Sequence, residues 1–484
     1  MERYYPVVRV LSLVIFMFGL TMLVPLLLSW FMHDGAESAF DEAFLLTVGT
    51  GFGLWWVTRR EVRDLTIRDG FLMVALVWTV LPVYAALPLV LQLDASFTDA
   101  YFEAVSGLTT TGATVFVGLD DLPVSINFWR TQLVWLGGMG LIVLAVAILP
   151  LLGIGGRQMF KAETPGPMKD SKMTPRMAET AKGLWFVYVL ISIACALGYY
   201  WAGMTGLDAI MHMFATMGLG GFSSHDASFG FFDSPAIEAV SIAFMLIAGC
   251  NFATHFLVIS QRSFRPYAAD PEAGWFLLVT IGSVIGIAIF LDVHEVYSTF
   301  VEALRYSAFN VVSIATTTGF ANTDYALWPF FAPLWMLFLC SFATSAGSTG
   351  GGIKMIRAIV LYKQVYRELA RAMHPNAVHP IKIGNSVVPP NILFAVLAFG
   401  FIYMVCIVSM TLLLSFTGLE IITALSAVIA SINNTGPGLG EVGPANNFAG
   451  LTDFQTWVCT IAMLLGRLEI FTLLVVLTPA FWRK

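Results

Sequence analysis

The stretch AVSGLTTTGATVF fills residues 104–116, and its centre, Thr109-Thr110-Thr111-Gly112-Ala113, returns three more times in altered form. Leu219-Gly220-Gly221-Phe222, Thr316-Thr317-Thr318-Gly319-Phe320 and Asn433-Asn434-Thr435-Gly436-Pro437 are the other copies. Each ends a short, half-apolar segment and sits between two long hydrophobic runs. Their glycines recur about every 100–120 residues, room for two membrane crossings and a loop. Four copies of one loop in one chain predict a four-fold arrangement around an axis.

The composition supports that setting. The chain has 484 residues, 58% hydrophobic and 12% charged, about half the charge of a soluble protein. Mean hydropathy is +0.80, and apolar runs of 18 or more residues recur, which reads as an all-α polytopic membrane protein. About ten spans are expected, near 7–32, 40–58, 70–92, 128–153, 180–203, 235–262, 273–295, 329–366, 390–416 and 454–481. Segments near 97–109, 207–217, 300–315 and 419–432 are too short to cross and read as re-entrant pore helices before the four loops. Residues 1–69 then hold two extra N-terminal transmembrane helices. Four repeats of helix, pore helix, loop and helix follow at 70–179, 180–272, 273–389 and 390–484. The first apolar run, from Val7 to Phe31, is too long for a cleaved signal and reads as a retained anchor.

Loop charge gives the orientation. Arg3 and Arg9, Arg59, Arg60, Arg63 and Arg68, the basic run Arg157–Lys182, the run Lys354–Lys382, and Arg483 with Lys484 all fall on one side of that span count. By the positive-inside rule that side is cytoplasmic, both termini included. Asp120, Asp121, Asp226 and Asp324 lie on the other side, toward which the loops open. There they either concentrate cations or serve as ordinary solvated charges. Arg130 is the main basic exception.

A ring of Thr-Gly loops suits a dehydrated cation. Backbone carbonyls face one axis when successive residues alternate in conformation, and glycine tolerates the positive φ this needs. The filter set is Thr110, Thr111 and Gly112; Leu219, Gly220 and Gly221; Thr317, Thr318 and Gly319; Asn434, Thr435 and Gly436. An acidic residue opens each pore helix (Asp99, Asp208, Glu302, Glu420), which suits the positive end of the helix dipole and leaves the negative end toward the ion. Acidic caps occur on any helix, but four in register favour the ring.

Ser345-Ala346-Gly347-Ser348-Thr349-Gly350-Gly351-Gly352 interrupts the eighth span. Each glycine costs about 1 kcal/mol inside a helix, so the stretch unwinds, either as a movable gate or as a static kink packed on small residues. Arg467 lies mid-membrane in the last span. Burying it costs several kcal/mol without water or a partner, and Glu469, two residues on, points elsewhere. It is read as a pore-wall charge meeting the glycine segment; the alternative is a pair with a carboxylate on another helix. Asn251 and His255 are read as interhelical hydrogen-bonding groups and His225 as a loop residue. Arg305 needs a partner, for which Asp324 is a candidate.

Other classes lack their residues. The five cysteines stand singly, without disulfide or CxxC spacing. GSTGGGIK departs from a phosphate-binding loop, since no Ser or Thr follows Lys354. No GxGxxG in βαβ context occurs, so no nucleotide is expected on this chain, and nothing points to nucleic acid. Histidines are scattered without an HExxH, so the chain does not read as an enzyme.

In combination, AVSGLTTTGAT, GGFSSHD, SIATTTGFANTDY and NNTGPGLG resemble the filter segments of the TrkH/KtrB potassium-translocating superfamily. The two extra spans resemble its TrkH branch. The resemblance implies potassium as the transported ion, with Gly112, Gly221, Gly319 and Gly436 as filter glycines and all four favouring potassium. It also implies a gate at Ser345–Gly352 with Arg467, a homodimer of two complete pores in the bacterial inner membrane, and a cytosolic, TrkA-like nucleotide-binding regulatory ring. Two departures weaken the symmetry: Leu219-Gly220 brings no threonine hydroxyl, and Pro437 follows the fourth glycine. Few central carboxylates favour passive conduction over a proton- or sodium-coupled symporter.

Overall fold

The computed structural model describes residues 4–60, 66–147, 174–376, 379–384 and 386–483. Most of the basic run Arg157–Lys182 lies outside the described residues, as do Arg3, Arg63 and Lys484.

Helices α1 (Tyr5–Thr21), α2 (Leu23–Met32) and α3 (Glu37–Thr58) form the N-terminal group. α1 and α3 cross closely at small residues: a Cβ on Gly51 would lie 2.8 Å from the Phe16 amide nitrogen. Close backbone approach of this kind is how helices associate where no water drives them together.

Four repeats follow. The first has α4 (Ile67–Ala85), α5 (Leu87–Leu93), the pore helix α6 (Phe97–Leu108) and α7 (Val124–Ala147). The second has α8 (Thr174–Ala202), the pore helix α9 (Gly206–Gly218), α10 (Pro235–Gly249), α11 (Phe252–Gln261) and a short corner helix α12 (Arg265–Ala269). The third has α13 (Ala273–Val293), the pore helix α14 (Phe300–Ala315), α15 (Phe331–Phe342) and α16 (Met355–Met373). A two-stranded hairpin pairs Lys382 with Val387 before the fourth repeat. That repeat has α17 (Pro390–Phe416), the pore helix α18 (Ile421–Ile432), α19 (Asp453–Arg467), α20 (Phe471–Leu477) and α21 (Pro479–Trp482).

Among the described residues, five helical stretches are long and apolar enough to cross a membrane, and two bent pairs raise this to seven. The other three expected spans are α3, α7 and the interrupted α15–α16 pair. Two spans expected to be continuous are sharply bent instead. α10 and α11 meet at 95° and α19 and α20 at 112°. At the first break Asn251 starts a new helix by accepting the Ala253 amide on its side chain; at the second, Glu469 and Ile470 both take positive φ.

Among the described residues the apolar core has two large clusters, beside a small one of Val360, Ile381, Leu393 and Val396. One large cluster joins the N-terminal helices with repeats one and four; the other joins repeats two and three. The four Thr-Gly loops run between these halves. Outward faces stay apolar, as Trp201 (78% exposed) and Phe416 (91%) show, which fits lipid contact.

Candidate functional site

All four pore helices end in the same way. In each, one amide past the helix bonds to the carbonyl five residues back, and the amide just before it bonds to the carbonyl three residues back. Thr111, Gly220, Thr318 and Thr435 donate to the carbonyls of Ser106, Ala215, Ser313 and Ala430 at 2.8–3.0 Å. Thr110, Leu219, Thr317 and Asn434 donate to Gly107, Thr216, Ile314 and Ser431 at 2.9–3.2 Å. This is the Schellman arrangement, which needs a left-handed residue at the helix end. That residue is not glycine in any copy: φ is 56° at Thr110, 55° at Leu219, 60° at Thr317 and 53° at Asn434. Such conformations cost on the order of 1–3 kcal/mol each and persist only where surrounding structure fixes them.

Conformation then alternates. Gly112, Gly319 and Gly436 return to positive φ at 79°, 87° and 97°. Gly220 and Gly221 stay outside the left-handed region, so the second loop departs from the others in backbone as well as in sequence.

The loops close a ring in chain order. A Cβ on Gly112 would lie 2.4 Å from the Gly221 nitrogen, and one on Gly221 2.6 Å from the Gly319 carbonyl carbon. On Gly319 it would meet the Thr435 oxygen at 2.0 Å, and on Gly436 the Thr111 oxygen at 2.7 Å. Each glycine thus faces the backbone of the next quarter, and the fourth faces the first.

The hydroxyls divide between wall and neighbours. Thr111 pairs with Thr109 and Thr318 with Thr316, both at 2.7 Å, inside their own loops. Thr317 Oγ1 accepts the Gly351 amide at 2.8 Å, so the glycine segment bonds directly to the ring. Asn434 Nδ2 donates to Thr111 Oγ1 at 3.0 Å, tying quarter four to quarter one. An acidic residue opens all four pore helices, as expected. Ser96, Thr205 and Thr299 accept the amides of Asp99, Asp208 and Glu302, while Glu420 is itself the cap residue of α18, without a side-chain bond.

Behind three of the loops a buried polar side chain nine residues ahead of the glycine braces the chain after it. Glu103, 0% exposed, accepts from Thr114 Oγ1 at 2.9 Å and the Val115 amide at 3.1 Å, and pairs with the equally buried Arg130 at 2.7 Å. His212 Nδ1 donates to the Asp208 carbonyl, and its Nε2 accepts from Ser223 Oγ at 2.9 Å. Asn310 donates to Asn322 Oδ1 at 2.6 Å. In the fourth quarter Ser426 takes this part by accepting the Leu439 amide at 2.8 Å. Sequence reasoning missed all four; the nine-residue spacing shared by Glu103, His212 and Asn310 was the available signal for three of them.

The glycine segment is non-helical, as its composition dictates, and touches three quarters. Thr349 Oγ1 donates to the Met217 carbonyl at 2.9 Å, and a Cβ on Gly351 would stand 1.9 Å from the Asn433 oxygen. The Ser345 amide donates to Gly249 O and the Phe252 amide to Gly347 O, both at 3.1 Å, so the segment also knits the α10–α11 break. Arg467, 2% exposed, lies at the end of α19. Its Nη1 donates to Thr349 O and its Nη2 to Gly137 O, each at 2.9 Å. Its partners are thus carbonyls of the glycine segment and of α7 rather than a carboxylate. Glu469 pairs with Arg357 at 2.5 Å.

Other expectations are corrected. Arg305 pairs with Asp233 and Glu238 at 2.8 Å, while Asp324 caps the turn at Ala326. Asn251 caps its own helix instead of bridging two. His255 does bond between helices, as expected: the hydroxyl of Tyr267 donates to its Nδ1 at 2.6 Å, and its Nε2 donates to Ile247 O. His225 is more than a loop residue: it stacks on Phe231 with centroids 3.6 Å apart and bridges Asp120 to Asp208. Burial works against its charged form, but hydrogen bonds to Asp208 and Asp120 outweigh this and raise its pKa.

The ring and its sequence place this chain among known proteins. The family model described as "TrkH: Cation transport protein" matches residues 36–484. The chain belongs to the TrkH family. Its relatives include the "Trk system potassium uptake protein TrkH" of Escherichia coli K12, 49% identical with all of both chains aligned. TrkG of the same strain is 37% identical over 99% of this chain and 98% of its own. The crystal structure titled as the potassium transporter TrkH from Vibrio parahaemolyticus superposes with a TM-score of 0.92 at 45% identity, covering both chains completely. TrkH proteins are transport proteins, so the chain is a multi-pass membrane transporter and not an enzyme.

Proposed function

We propose that this chain takes potassium across the bacterial inner membrane through the ring of Thr110–Gly112, Leu219–Gly221, Thr317–Gly319 and Asn434–Gly436. The observation that carries the reading is the closed contact of the four glycine backbones in chain order. Left-handed residues alternating with extended ones turn carbonyls toward one axis, and the names of the relatives supply the ion. The repeats fall at 70–179, 180–272, 273–389 and 390–484, after N-terminal helices in 1–69. The termini are cytoplasmic, in keeping with the basic loops.

The glycine segment Ser345–Gly352 is the gate in this reading, with Arg467 as its latch. The segment bonds to the inner residues of the ring, and the guanidinium adds a positive charge next to it. The pore works as a homodimer under a cytosolic nucleotide-binding ring, a reading supported by the multi-component sense of "Trk system" in the relatives' names.

Rubidium, potassium and sodium flux into vesicles carrying the purified protein tests both parts. Gly319→Ser is expected to lower potassium flux and narrow its advantage over sodium. Arg467→Ala is expected to raise flux with ion preference retained. An unchanged preference in the first variant sinks the filter assignment, and an unchanged flux in the second sinks the latch. A reversal potential that shifts with pH at fixed potassium would convert the mechanism to proton-coupled symport.

A further inference from the structure

We propose that Glu272 is a positioning residue that holds the glycine segment in place from both of its ends; this rests on the gate reading given above. The side chain is buried, 5% exposed, at the start of α13. Its Oε2 accepts the Ala346 amide at 2.8 Å and the Ile356 amide at 3.1 Å. One carboxylate oxygen thereby closes an interval that contains all four glycines of the segment, Gly347, Gly350, Gly351 and Gly352. Ile356 lies in the first turn of α16, where free amides and the helix dipole favour a negative charge. Ala346 is the residue after Ser345, whose own amide is tied to the α10–α11 break.

The carboxylate is itself anchored. The Glu272 amide donates to Asp270 Oδ1 at 2.9 Å, and Asp270 Oδ2 accepts from Thr254 Oγ1 on α11 at 2.7 Å. The corner containing α12 is fixed to α11 a second time through Tyr267 and His255. A continuous set of bonds therefore runs from the connection between repeats two and three to the two ends of the segment. Displacing that corner withdraws one oxygen and frees both ends at once. Arg467 holds the segment near its middle, at Thr349, so the two residues restrain different points of one element.

The test uses the full-length protein in lipid nanodiscs and vesicles. Amide hydrogen exchange reads the peptide spanning 343–356, and rubidium influx reads gating. Glu272→Ala is expected to speed exchange in that peptide about tenfold, since both amides lose the one buried oxygen that accepts them. It should raise influx several-fold and leave exchange in 104–116 unchanged. Glu272→Gln keeps an acceptor oxygen and should fall between the alanine variant and the parent. Unchanged exchange at 343–356, or exchange that rises equally throughout the protein, overturns the proposal. If Arg467→Ala raises influx while Glu272→Ala alters neither readout, the gate reading stands and the role of Glu272 falls. Faster exchange confined to 343–356 with parental influx in both variants instead removes the gate reading, and the coupling with it.

Discussion

The ring loops and the segment Ser345–Gly352 share glycine and threonine, yet they are held in opposite ways. Each ring loop takes a Schellman cap at the helix end and a buried brace behind the glycine from its own quarter, with the Asn434–Thr111 bond tying the fourth to the first. The glycine segment has bonds of its own, Ser348 to the Ser345 carbonyl and the adjoining Thr344 to the Gly351 carbonyl, but it is anchored from elsewhere: Gly249, Met217, Glu272, Thr317 and Arg467 all belong to other elements. A loop satisfied locally keeps its shape when its neighbours shift. One satisfied by many distant partners changes when any of them moves. Composition alone makes both unwound; the origin of the partners makes one a scaffold and the other a movable part.

The largest break in this comparison should come at the most buried brace. Arg130→Ala leaves Glu103 charged in a site without water, a loss of about 3–5 kcal/mol. Thermal unfolding in detergent should show little folded protein, and Glu103→Gln combined with Arg130→Gln should recover part of it. Next in size is Gly319→Ala, which combines positive φ with a collision at the Thr435 oxygen. Strain of about 2 kcal/mol corresponds to a loss of tenfold or more in rubidium influx. Gly221→Ala meets similar crowding without the φ penalty, so its loss should be smaller by the cost of the left-handed conformation, about 1 kcal/mol.

On the mobile side the sign reverses. Gly347 has φ of 75°, and a Cβ there would lie 2.6 Å from Asn251 Oδ1. Gly347→Ala should loosen the segment and raise influx about fivefold, from roughly 1 kcal/mol of strain. Lower influx would mean that the segment cannot move clear of the ring.

The smallest effect is expected at the outer loops. The raised pKa of His225 means that its clamp on Asp120 and Asp208 is fully formed below the ordinary histidine value of 6.5. The contribution is lost as pH rises through the folded-state value. It is worth at most about 1 kcal/mol at this partly exposed position. The protection factors at 217–232, corrected for the base catalysis of exchange itself, should therefore fall at alkaline pH, and His225→Gln should abolish that fall.

The ring was legible because its signal is local. A Thr-Gly pair at the end of a short helix carries its own backbone requirement, and four copies disclose the closure. The unwound segment was legible for the same reason, through glycine density. The breaks at Cys250 and Leu468 were hidden, because the helices on either side of each are apolar and hydropathy does not register a change of direction. Arg305 was assigned the wrong carboxylate since Asp233 and Glu238 come from another repeat, and chain proximity favoured Asp324. The braces escaped because Glu103, His212 and Asn310 share a position but no chemistry. Glu272 gave no signal of its own, standing at a span boundary where acidic residues are common.

All four walls of the ring belong to one polypeptide, and each neighbours a different one. A single codon change therefore alters one side of the passage and leaves three intact, unlike an assembly of identical subunits, where it strikes every side together. Inheritance can adjust such a pore in small increments, and the leucine at position 219 stands as one side already adjusted apart from the rest.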